Sequence, residues 1–378
     1  MSYQTKMNIP PVKAYFPEED KNWVAEKIKE MLGSGMLTLG ALGKEFEKEF
    51  AAFTGAQYAV AVNSGTSAIE IPLRVLDIAG KDVLVPTNTF FATAAAVVHA
   101  GGNPVFVDMN PETFAISTAE LEKRLTPKTA GVILVHIAGL VSHQTPEIID
   151  WCKQKGLWCL EDAAHAHGST LNGKHAGTFG IAGTLSFYPT KIMTSGEGGM
   201  ILTNDKKIFE EAQLYRDQGK TSFLTNTHGK MGYNWRMSEP NAAIGLVQIR
   251  RLPEILKKRA AIAKFYDESL ANCDFGKALK VPSDSFSNYY KYIFVPNKQL
   301  QDRGAFKKAF KEKTGVSLTG EVYELPLHKQ PVFQQWSGGS FPVADDLCAR
   351  HICLPLFPSM TAEEATHVIA SLKEAFHG

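Results

Sequence analysis

Residues 157–168, LWCLEDAAHAHG, run from an apolar segment into two carboxylates and then into small residues. A short apolar run bounded in this way reads as a buried strand, Leu157–Asp162. Asp162 then stands at the carboxyl end of that strand, the edge at which open parallel sheets hold their ligands. Outward from this segment the same pattern repeats. Tyr58–Val62, Val83–Pro86, Pro104–Asp108 and Gly131–His136 read as further buried strands. Thr66–Leu76, Phe91–Ala100 and Pro146–Lys155 read as helices between them. Strands alternating with helices give an α/β unit with a mainly parallel sheet. Two more strands, near Thr184–Tyr188 and Gly199–Thr203, are separated by a Gly-rich connection.

After about residue 240 the pattern changes. Pro240–Ser269 is one long helical stretch, followed by a strand at Tyr289–Val295 and helices at Ala305–Lys313 and Ala362–Phe376. The expected division is a large unit over 26–250 and a smaller α+β unit over 251–378, with residues 1–25 packing on the smaller one.

The composition narrows the function classes. A net charge of +1 gives no overall attraction to nucleic acid or anionic lipid, so an anionic ligand needs local groups. The Lys/Arg run Arg250–Arg259 reads as a solvated helix face. No stretch has a signal-peptide pattern or the length to span a bilayer, and a cytoplasmic location is expected. The cysteines at 152, 159, 273, 348 and 353 are odd in number and form no CxxC pair. They read as reduced thiols, mostly buried, and not as a zinc site or disulfide framework.

Three segments carry the chemistry. Asn63-Ser64-Gly65-Thr66-Ser67 joins a strand to a helix, so its backbone N–H groups and helix dipole suit a phosphate. The ordinary alternative is an N-cap alone. Neither a Walker loop nor GxGxxG is present. Asp162 suits a helix cap, or an acid facing a pyridinium N–H. Lys191, in Ser186-Phe187-Tyr188-Pro189-Thr190-Lys191 and before Gly196-Glu197-Gly198-Gly199, suits a desolvated nucleophilic amine. Its ordinary alternative is a solvated surface lysine. Taken together, a phosphate cradle, an acid and a Schiff-base lysine are what pyridoxal phosphate needs.

The order of these motifs resembles the DegT/DnrJ/EryC1/StrS family of sugar aminotransferases. The resemblance extends through Phe46-Glu47, PTNTFFAT at 86–93, PVFVD at 104–108, EDAAHAHG, SFYPTK, GEGGMILTND, GYNWRMS at 232–238, Pro326-Leu327-His328 and LPLFPSMT at 354–361. It implies a fold-type I aminotransferase, with a large α/β domain whose mainly parallel seven-stranded sheet is flanked by helices, and a smaller α+β C-terminal domain. Lys191 matches the cofactor-linked lysine that also moves a proton. Asp162 matches the acid at the pyridine nitrogen, and Gly65, Thr66 and Ser186 match phosphate-binding positions. Phe90 matches an aromatic ring against the cofactor face. Asn234 matches a residue that reaches the phosphate from the neighbouring subunit of a homodimer with shared active sites. His165 stands where the family usually has Gln, near the cofactor's ring oxygen. Tyr323 and His328 resemble a stretch near the sugar-nucleotide cleft. The His165–His167 pair lacks a third ligand, so no metal is expected.

The implied reaction moves an amino group from L-glutamate to a nucleotide-linked keto-sugar, a 4-keto-6-deoxyhexose, by a ping-pong mechanism. Three rivals stand against it, one of them a fold-type I enzyme acting on plain amino acids, which the family-wide motifs oppose. A pyridoxal-dependent sugar 3-dehydratase would carry His in place of Lys191. A non-catalytic regulator on the same fold would not need Lys191 with Asp162. Among weaker candidates, Glu197 reads as structural, Arg236 is expected to pair with Glu239, and Trp151, Trp158, Trp235 and Trp336 read as packing residues.

Overall fold

The computed structural model describes residues 7–222, 224–297, 300, 302–318 and 320–377. The seven expected strands form one sheet: β1 Tyr58–Val62, β2 Asp82–Pro86, β3 Asn103–Val107, β4 Thr129–Val135, β5 Trp158–Asp162, β6 Ala182–Ser186 and β7 Gly199–Thr203. Their order is β1-β7-β6-β5-β4-β2-β3. Neighbours from β3 to β6 pair in parallel, and β7 lies antiparallel to both β6 and β1. No helix forms between residues 187 and 198 to carry the chain back across the sheet, so β7 returns beside β6 in the opposite sense.

Alternate residues sort to opposite faces of the sheet, as strand periodicity requires. Val83, Val85, Ile133 and Leu160 enter one core with Ile69, Ile71, Ala94 and Val97 of the helices Gly65–Val75 and Phe91–His99. Leu84, Val132, Leu134 and Cys159 enter another with Ile148, Ile149 and Cys152 of the helix Thr145–Lys155. Cys152, Cys159, Cys348 and Cys353 are buried, Cys273 is half-buried, and all five are free thiols.

A second, antiparallel sheet joins Gly276–Ala278, Tyr292–Pro296 and Ile352–Leu354. The helix Glu239–Leu270 serves both units and runs unbroken through the expected boundary at 250. Its Leu246, Ile249, Leu252 and Ile255 pack beside the large sheet. Its Ile262, Ala263, Tyr266 and Leu270 pack in the core of the small one. The N-terminal segment divides likewise. Ile9 bridges to Val316 in the small unit, whereas Tyr15 donates to Glu254 on the long helix. Residues 1–6 of that segment lie outside the described ones.

Several local expectations are corrected. The strand expected from Tyr289 begins at Tyr292. Arg259, buried and not solvated, donates to the carbonyls of Asn288, Tyr289, Tyr290 and Leu356, which keeps 288–290 out of a strand ladder. Arg236 pairs with Asp217 at 2.6 Å, not with Glu239. Glu239 is buried at 3% exposure. Its carboxylate accepts from the amides of Gly40 (2.9 Å), Leu42 (2.9 Å) and Gly43 (3.1 Å) at the start of the helix Ala41–Thr54. That helix has no side-chain cap of its own, so a carboxylate far along the chain takes its free N–H groups and its dipole.

Glu239→Ala would strip this cap and leave buried donors unpaired. The expected cost is about 2 kcal/mol, read as a lower urea midpoint at unchanged m-value.

Candidate active site

The carboxyl ends of the parallel strands bring the three sequence motifs to one edge. β1 ends at Val62, and Ser64 caps the helix Gly65–Val75 by accepting from Ser67 N at 3.2 Å. Asn63 Oδ1 accepts from Ser67 Oγ at 2.8 Å and fixes the turn. The helix N-terminus abuts β6: a Cβ placed on Gly65 would stand 2.6 Å from Ser186 Cβ, so glycine is required there.

Asp162 closes β5 and is 4% exposed. Its Oδ2 accepts from Thr93 Oγ1 at 2.7 Å, and its Oδ1 accepts from Ala164 N at 3.1 Å. Thr93 Oγ1 also meets Thr89 Oγ1 at 2.9 Å. The carboxylate is thus oriented from the helix Phe91–His99 on one side and from its own turn on the other.

Lys191 follows β6 in the long connection to β7. Burial lowers its ammonium to about 8; the Asp162 carboxylate opposes this and the Lys291 ammonium adds to it. Its Nζ lies 5.0 Å from the ring centroid of Tyr290. The ring of His165 stacks on Tyr290 at 4.2 Å, and His165 Nε2 lies 2.9 Å from Tyr323 Oη. Burial, followed by the charges of Lys191 and Lys291, holds His165 well below its usual range, so it is neutral. Burial likewise takes His167 down to about 3, with the Lys191 charge contributing. Burial raises the phenol of Tyr323 well above its usual value and keeps it un-ionised.

These groups surround a cavity of about 380 Å³. Gly65, Thr66, Phe90, Asp162, His165, Ser186, Lys191 and Tyr323, all singled out from sequence, line it. Glu197 also stands on its wall. Asn234, expected to reach the site of a neighbouring subunit, and His328 do not line this chain's own cavity. Asn234 is exposed on a segment bridged to Asp217. His328 is engaged elsewhere, with Nδ1 at 2.7 Å from Thr87 Oγ1 and Nε2 at 3.0 Å from Asp345 Oδ1. Its ring stacks on Phe341 at 4.3 Å, so these contacts brace the loop that carries it. Among the described residues no group of three or more His, Cys, Asp or Glu is arranged to hold a metal ion.

Tyr290, Thr93 and Tyr188 reach the cavity without having been singled out. Thr93 lies within PTNTFFAT, and its place four residues after Thr89 on the same helix start is a signal sequence reading could have used. Tyr290 has no local signal. It is set by Asn288, whose side-chain amide donates to the carbonyls of His165 and His167 while its Oδ1 accepts from Tyr290 N.

The donor set fits pyridoxal phosphate. A helix N-terminus with the Ser186 hydroxyl suits the phosphate, an oriented carboxylate suits the ring nitrogen, and a desolvated amine suits the aldehyde. His165 Nδ1, buried and without a partner among the described residues, shows that this pocket has polar capacity beyond what the chain itself satisfies.

Comparison with known proteins agrees. The DegT/DnrJ/EryC1/StrS aminotransferase family model matches residues 18–373. The chain is 32% identical over its whole length to UDP-N-acetyl-3-dehydro-alpha-D-glucosamine 3-aminotransferase of Acidithiobacillus ferrooxidans, also covered in full. It is 32% identical to dTDP-4-dehydro-2,3,6-trideoxy-D-glucose 4-aminotransferase of Saccharopolyspora spinosa, covering 93% of each chain. NtdA of Bacillus subtilis, solved with bound cofactor PMP, superposes with a TM-score of 0.88 at 28% identity, covering 96% of this chain and 83% of that one. With fold, cavity and relatives in agreement, the chain belongs to the DegT/DnrJ/EryC1/StrS aminotransferase family and is a sugar aminotransferase that works with pyridoxal phosphate.

Proposed function

We propose that the chain moves an amino group from L-glutamate to a nucleotide-linked 4-keto-6-deoxyhexose, in two half-reactions at a site built on Lys191 and Asp162. The carrying observation is the amine of Lys191, lowered to about 8 in a cavity shared with an oriented carboxylate. The cofactor, when bound, supplies the electron sink that makes a carbon-bound hydrogen acidic. The chain does the rest. Gly65, Thr66 and Ser186 would hold the phosphate, and Asp162 would keep a proton on the ring nitrogen. Phe90 would lie against one face of the ring, and His165, oriented by Tyr323, would donate to its ring oxygen. Lys191, whose ammonium is lowered to about 8, would be able both to give and to take a proton in this pH range, as a proton carrier must.

The 4-keto assignment is supported by the Saccharopolyspora relative, and the Acidithiobacillus relative acts at position 3 of a different sugar. Amine transfer is preferred to dehydration because position 191 is lysine. Asn234, exposed in the single chain, is available to a second copy, which supports a homodimer with shared sites. The division into a large domain, a small domain and an N-terminal segment is proposed with the Glu239–Leu270 helix as the joint. No described helix is long and apolar enough to cross a membrane, and we place the enzyme in the cytoplasm.

Three outcomes are expected. Borohydride treatment of holoenzyme followed by peptide mapping labels Lys191, and Lys191→Ala loses both the label and about 10²–10⁴-fold of turnover; a label elsewhere removes the proposal. L-glutamate alone converts the cofactor spectrum to its amine form before any keto-sugar is added, and parallel lines in double-reciprocal plots follow. Reloading of cofactor-stripped protein quickens by about tenfold per pH unit up to roughly pH 8, then levels, because only the unprotonated amine attacks.

A further inference from the structure

Behind the cavity wall stands a second amine that the reaction as described does not use. Lys291 Nζ lies 5.0 Å from the centroid of the Tyr290 ring, the same distance as Lys191 Nζ. One aromatic ring therefore has two ammonium groups against it, and His165 stacks on it as well. Lys291 is not among the residues lining the large cavity. A Cβ placed on Gly320 would stand 2.3 Å from Lys291 Nζ, so the backbone at 320 closes over the amine.

Its surroundings offer little counter-charge. From the long helix comes the Arg259 guanidinium, from the strand Ile352–Leu354 the Cys353 thiol, and from the loop beside Gly320 the Glu321 carboxylate. Glu321 is already paired, with both oxygens 2.8 Å from Lys307 Nζ. Arg259 spends its donors on backbone carbonyls. Among the described residues no carboxylate forms an ion pair with Lys291. On the other side of the wall, Lys191 faces Asp162 from β5, His165 and His167 from the turn after it, Tyr290, and Tyr188 and Glu197 from its own connection. Both histidines are neutral. Of the charges acting on Lys191, Asp162 favours its protonation and Lys291 opposes it.

We propose that Lys291 is a positioning residue that acts through its charge beside the Tyr290 ring, disfavouring protonation at the Lys191 nitrogen. A half-buried cation beside a reactive lysine disfavours protonation there, because the repulsion is less screened than at an exposed surface. This rests on Lys191 being the cofactor-linked amine.

The test uses holoenzyme of wild type, Lys291→Met and Lys291→Arg. The absorption band of the bound cofactor is titrated with pH, thermal melting verifies that each variant is folded, and borohydride mapping locates the linkage. The expected result is a titration midpoint raised by about one pH unit in Lys291→Met. Lys291→Arg retains the wild-type midpoint, and all three proteins are labelled at Lys191. An unmoved midpoint in a folded Lys291→Met protein overturns the proposal, as do equal shifts in the Met and Arg variants, which would make the effect one of packing. A label away from Lys191 overturns the proposal together with the site assignment. A Lys191 label with an unmoved midpoint overturns the role of Lys291 alone.

Discussion

Two adjacent buried carboxylates at the end of β5 hold the centre of this molecule. Successive side chains of a strand point to opposite faces, and Glu161 and Asp162 use this to do different work. Glu161 turns away from the cavity and accepts from Gly177 N, Phe179 N and Gly180 N, and from His136 Nε2 at 2.7 Å. Fully buried, it has all the partners a charge needs in that environment. It pins the chain between β5 and β6. Asp162 turns the other way, and its two oxygens are held by Thr93 and Ala164. A shift of β5 by one residue would exchange their faces, taking Asp162 from the site and Glu161 from its donors.

The electrostatics of the cavity follow from that placement. Asp162 brings a negative charge to the edge of the sheet, and the helix beginning at Gly65 contributes the positive end of its dipole nearby. The histidines add no charge, because burial keeps both neutral. His165 and Tyr323 therefore act as a hydrogen-bonded pair of neutral groups, with a phenol too buried to ionise. This answers what His does in place of the family's usual Gln: it presents a ring that stacks on Tyr290 and takes a hydrogen bond from, or gives one to, Tyr323.

What the sequence disclosed followed how local each feature is. All seven strands of the large sheet were legible, since short β-branched runs between small residues carry their own signal. Gly65, Thr66, Asp162, Ser186 and Lys191 were legible because motif and strand end coincide. The helix Ala41–Thr54 was not, because its cap comes from Glu239, and Gly40 at its start has no side chain to signal it. Tyr290 was missed for a similar reason: it is set by Asn288 and Arg259, whose partners come from remote segments. His328 joins Thr87 to Asp345, partners from remote segments that leave no local signal.

The antiparallel return of β7 also constrains the segment that carries Lys191. Ser186 pairs with Gly199, so the two ends of the intervening chain are clamped side by side. Within it, Phe187 N donates to Gly198 O, Ser195 N to Phe187 O, and Asn241 reaches in from the long helix to the carbonyls of Ser195 and Glu197. A span tied down at its ends and again near its far side has little slack. One inserted or deleted residue has nowhere to go except the stretch from Tyr188 to Thr194, and there it would swing the lysine out of reach of its acid. Evolution of this enzyme toward new sugars is accordingly freer in the walls around that span than in its length.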